Sequence, residues 1–178
     1  MAASFHWGES NGAGQTISSG IIDINWKNAD DTVGTAYSAA PITAGANSYE
    51  KWQFGKFYGT FNQISNGFYD HTAGAFGTGV TLYGAPTMTQ DSDKLAYATP
   101  AIATNAALTR DYSTANGSFP SGAAVVYFSG TSPTATKATS STSNPTFTNY
   151  LTTQLRTTGA AGAGDTASIT LTLRYDEN

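Results

Sequence analysis

The sequence predicts an all-β chain: a single antiparallel β-sandwich or jelly-roll-like domain over residues 1–178, with long loops at about residues 28–48 and 129–146. Three observations predict it. Short stretches of alternating apolar and polar residues recur along the chain, and Gly, Asn, Asp and Ser clusters punctuate them at intervals of about ten residues or a little more. Long helical periodicity is missing. That combination belongs to sandwiches and barrels.

Taken in order, Phe5 and Trp7 alternate and predict a first strand. In GIIDINWKNADD, Ile22, Ile24 and Trp26 alternate, predicting a second strand that breaks at the Asn/Asp cluster. The aromatic stretch SYEKWQFGKFYGTFNQISNGFYD reads as two strands, with Trp52 and Phe54 in phase and Gly55, Gly59 and Gly67 at bulge or turn positions. GVTLYG alternates Val80 and Leu82, KLAYAT alternates Leu95 and Tyr97, and GAAVVYFSG is an apolar run through Val125, Val126, Tyr127 and Phe128. FTNYLTTQLRTT places Phe147, Leu151 and Leu155 on one face. In the closing ASITLTLRYDEN, Ile169, Leu171, Leu173 and Tyr175 form one face and Thr170, Thr172 and Arg174 the other. The Gly/Ala-rich GAAGAGD between these last two segments predicts a hairpin, for eight to nine short strands in all.

Charged residues are 11% of the sequence, against about 25% in an ordinary soluble domain, so the surface is mostly neutral and polar. Such a surface suits permanent packing against copies or partners. The net charge is −4, and only eight Lys and Arg are scattered along the chain, which leaves no basic stripe for nucleic acid. Cysteine is absent, which removes disulfides, thiolate nucleophiles and cysteine-based metal sites. MAASFHWGES has neither a basic leader nor a run of about 7 to 15 apolar residues, and no stretch has the length of a membrane span, so neither a signal peptide nor membrane association is expected.

The residues that could carry chemistry are few. His6 falls between Phe5 and Trp7 on the expected outward face of its strand. Asp70 and His71 are adjacent, but neighbours on a strand point to opposite faces. No nucleophile, zinc or phosphate-loop motif is present, and no carboxylate spacing selects a glycosidase pair. Asp30 and Asp31, and Asp91 and Asp93, offer oxygen ligands, yet neither pair continues into a calcium loop. The expectation is therefore no enzyme, no cofactor and no metal. A carbohydrate platform built from Trp7, Trp26, Trp52 and tyrosines is the alternative, opposed by the phase of Trp26 and Trp52 with their strands' apolar faces. Thr-rich fragments such as TLTL fall short of the long regular array an ice-binding face needs.

PITAGANSYEKW at Pro41 to Trp52, Ile-Ser-Asn at Ile64 to Asn66, and the closing strand with Tyr-Asp-Glu at Tyr175 to Glu177 resemble a group of small β-sandwich virion structural proteins of tailed bacteriophages. The resemblance spans most of the chain as a pattern and implies a virion-associated sandwich without catalytic residues. The expected role is a capsid decoration or cement protein, assembled in the host cytoplasm, whose partners are the major capsid protein, other virion proteins and copies of itself. A tail, neck or fibre component and a carbohydrate-binding or adhesin module are the alternatives. Expected assembly contacts are an N-terminal arm, Met1, Ala2, Ala3, Ser4 and Phe5, and the tip Tyr175, Asp176, Glu177 and Asn178, both taken as lying outside the core strands.

Overall fold

The computed structural model describes residues 2–12, 16–31, 36–85, 87–88, 102–130, 138–162 and 168–178. Two largely antiparallel sheets pack face to face, as the sequence predicts, and no α-helix occurs among the described residues. The strands are β1 (Ala3–Asn11), β2 (Thr16–Ile21), β3 (Lys51–Gly59), β4 (Ile64–Ala73), β5 (Val80–Gly84), β6 (Thr87–Met88), β7 (Arg110–Asp111), β8 (Ala124–Val126), β9 (Phe128–Ser129), β10 (Ser140–Ser141), β11 (Thr146–Thr148), β12 (Leu151–Thr157) and β13 (Thr170–Glu177). The larger sheet runs β2-β1-β3-β12-β5-β7, with β11 bridging β3 to β9. The smaller sheet runs β10-β4-β8-β6, with β13 also on β4 and β6 parallel to β8.

Period-2 alternation on β3 explains how the layers form. Phe57 and Gly55 face the space between the sheets, opposite Phe5 and Trp7 of β1 in register. A Cβ at Gly55 would come within 2.5 Å of the Phe5 ring, so glycine is what lets that ring lie flat on the strand. Between the sheets, Phe57, Leu82, Leu151 and Leu155 of the larger sheet meet Ile64, Tyr69, Ala124 and Val126 of the smaller one in a single cluster. Each fully buried side chain of this size contributes about 1.5–3 kcal/mol. The even-numbered face of β3 carries Trp52 and Phe54, which pack with Tyr150 and Phe147 in a second cluster on the outer side of the larger sheet.

Several sequence expectations are corrected. Ile22, Ile24 and Trp26 are not in a strand: the ladder of β2 ends at Ile21, where Gly20 adopts φ +74° beside a register shift and turns the chain inward. Phe147 does not share a face with Leu151 and Leu155, because the chain breaks at Asn149 and Tyr150 and the alternation restarts out of phase. β12 and β13 form no hairpin; β12 lies between β3 and β5, whereas β13 pairs with β4 in the opposite sheet, so Leu171 and Leu173 pack on the core from the other layer. Within 28–48 the chain makes a 3₁₀ turn, Tyr37–Ala39, and a bridge from Asn47 to Arg156, and 129–146 contains β10. The strand expected at Leu95 and Tyr97 lies outside the described residues.

Candidate functional site

Glu9, Asn11, Lys51, Gln53 and Thr153 continue the inward face of the larger sheet beyond its apolar part, and all five are buried. Polar groups here need partners, because burying an unpaired charge is prohibitive. Lys51 Nζ lies 3.7 Å from Glu9 Oε2 and donates to Asn11 Oδ1 at 3.2 Å and to the Asp31 carbonyl at 2.5 Å. Burial lowers the Lys51 pKa from its usual value, and the Glu9 carboxylate partly offsets this. Lys27, also fully buried, pairs with the Asp31 carboxylate, the Gly12 N–H donates to Asp30, and the Trp26 indole donates to Thr153 Oγ1 at 3.1 Å. This ionic knot holds residues 22–31 across the end of the sandwich.

Under that segment lies an apolar groove of about 950 Å³. Trp7 and Leu155 of the larger sheet, Ile24 and Trp26, and Ile169 and Leu171 are among the residues that line it.

Two open sheet edges flank the groove. Among the described residues β2 has β1 as its one strand partner and β13 has β4. The start of β1, the strand next to β2, packs on the end of β13: the Phe5 and Tyr175 ring centroids are 6.3 Å apart, and Ala3 N donates to Glu177 Oε2 at 2.9 Å. The assembly contacts expected at the termini are therefore not free arms. Ala3, Ser4 and Phe5 pair with Gly59, Tyr58 and Phe57, and Tyr175, Asp176 and Glu177 belong to β13. Asn178 accepts backbone bonds from Asn62 and Gln63 and donates to the Gln63 carbonyl. Ala2, Ser4, Asp176 and Asn178 remain exposed, and Met1 lies outside the described residues.

Neither histidine is poised over a nucleophile. His71 is buried, with Nδ1 2.7 Å from the Tyr112 carbonyl and Nε2 2.8 Å from the Ala73 carbonyl, while Asp70 accepts the His71 backbone N–H instead of a ring N–H. The Asp70 carboxylate also receives Arg110 at 2.5 Å and Asn116 at 2.7 Å, which ties β7 and the loop after it to β4. His6 is exposed against Tyr58, its Nε2 2.6 Å from the phenol oxygen. Among the described residues no three His, Cys, Asp or Glu side chains cluster as metal ligands; Asp91 and Asp93 lie outside them.

Compared with protein-family models, with curated proteins and with solved structures, the chain matches none. Sequence reasoning missed the β2 edge, the ionic knot and the groove. The uncharged run TISSGII signals the first, since natural edge strands usually carry charge or proline. The cluster Asn28 to Asp31 reads locally as a solvated turn, and besides Lys27 its partners Gly12 and Lys51 lie 18 and 20 residues away on either side.

Proposed function

We propose that the protein is a bacteriophage virion structural protein, a capsid decoration or cement protein that binds the capsid shell. The observation that carries this reading is where the scarce charges go: Glu9, Lys27, Glu50, Lys51 and Asp70 are buried. Their burial leaves the exterior still more neutral than the composition implies, which favours docking through apolar area and neutral hydrogen bonds. The resemblance of Pro41 to Trp52 and of the closing strand to tailed-phage proteins supports the same assignment. Against the carbohydrate-binding alternative, Trp52 is buried and Trp7 and Trp26 are half-buried, packed against the core cluster.

Density-gradient purification of virions produced in the host, followed by mass spectrometry and cryo-electron microscopy, tests the proposal. Repeating density for a β-sandwich on the shell supports it. Density at the neck, tail or fibre selects the runner-up, and absence of the protein from the particle refutes both.

A further inference from the structure

We propose that β2 is the edge through which two copies of this chain pair, strand against antiparallel strand. The inference does not depend on where the protein sits in a particle. Edge strands are normally protected by charge, proline, bulges or brevity. β13 carries Arg174, Asp176 and Glu177 and two register shifts, and β6, β7 and β10 are two residues each. β2 stands apart among the described edges: residues 16–22 hold no charge and no proline, and Thr16–Ser19 pair regularly with β1 before the bulge at Gly20.

Exposed apolar area concentrates at the same place. Of the large apolar side chains exposed among the described residues, Ile17 is 52% and Ile22 93% accessible, one within β2 and one just past its end. Isolated exposed apolar residues need no explanation, but two at an edge strand that has one strand partner among the described residues mark a surface that gains by being covered.

The occupant follows from symmetry and charge. Antiparallel pairing of identical strands is two-fold symmetric, so a single patch is its own complement, which is the arrangement of the commonest homo-oligomers. The chain carries −4 overall, and a neutral strip is where two such molecules approach with least repulsion. Backbone bonds along Thr16–Ser19 would supply register, and Ile17 and Ile22 the buried area.

Sedimentation equilibrium of the full chain from micromolar to millimolar concentration tests this, alongside the I17K/I22K double variant and an I102K control. Ile102 is 43% exposed and remote from β2 in sequence, so it controls for adding a lysine at an exposed apolar site. The expected result is a wild-type species of twice the 18.5 kDa chain mass, retained in I102K and lost in I17K/I22K. Circular dichroism should show the double variant folded, because both isoleucines point to solvent. Amide hydrogen exchange on the wild type provides a second measurement: protection within Thr16–Ser19 should rise at least tenfold between dilute and concentrated samples. A wild-type monomer at every concentration, a dimer indifferent to the lysines, or exchange in β2 that ignores concentration would each overturn the proposal.

Discussion

The Ala3 backbone N–H donates to Glu177 Oε2 at 2.9 Å, joining strands 174 positions apart and closing one side of the sandwich. A hydrogen bond to a charged acceptor in a half-buried setting is worth more than an exposed one. E177A should therefore lower the unfolding free energy by about 1 to 2 kcal/mol, read from urea denaturation. Deleting residues 175–178 should cost far more, because Tyr175 packs against Phe57 at 4.6 Å between ring centroids and the deletion also removes the Asn178 backbone bonds. A deletion variant as stable as the wild type would mean that the closing residues are a free tip after all.

Lys51 and Glu9 form the centre of the buried knot, and removing one partner takes away part of what compensates the other buried charge. K51M is expected to destabilise the fold by about 3 to 5 kcal/mol. The double variant E9Q/K51M should recover a large part of that loss, because neither position then carries a buried charge. Additive effects in the cycle would show that the two side chains do not depend on one another.

Alkaline titration should show two opposed contributions. Burial lowers the Lys51 pKa below 10.5, so in the window just below that value the unfolded chain binds more protons and stability gains as pH rises. Burial raises Tyr69 and Tyr112 above 10.0, so their contribution is complete below that value and is lost as pH rises beyond it, where the unfolded chain ionises first. Tyr150 and Tyr175 shift in the same direction. Urea midpoints between neutrality and pH 11 should fall above about pH 10, and K51M should lack the preceding gain. Phenolate absorbance from Tyr69 and Tyr112 should appear only as the protein unfolds.

Which parts of this fold a reader can find in the sequence depends on whether the information is local. β3, β4, β5 and β13 announce themselves because alternation within one strand needs no knowledge of its partner. Ile22, Ile24 and Trp26 alternate equally well, yet the ladder ends at Ile21, one residue past the bulge at Gly20, and Ile24 lines the groove, Trp26 lines it and joins the knot, and Ile22 is exposed. Sheet membership is not local either. Leu155 and Leu171 look like two arms of one hairpin but meet from opposite layers, because β12 pairs within the larger sheet and β13 pairs with β4 in the smaller one. The groove and the knot combine residues from β1, β3, β12 and the 22–31 segment, and only the assembled fold brings those together.

Retention on the shell as salt is raised tests the proposed role most directly. Docking through neutral surface depends weakly on ionic strength, because there is little charge to screen. Virions or shells carrying the protein should be washed in steps from low to about molar salt and pelleted, with the bound fraction measured at each step. The account predicts that the protein stays in the pellet throughout. Release by a few hundred millimolar salt would contradict it and make the docking electrostatic.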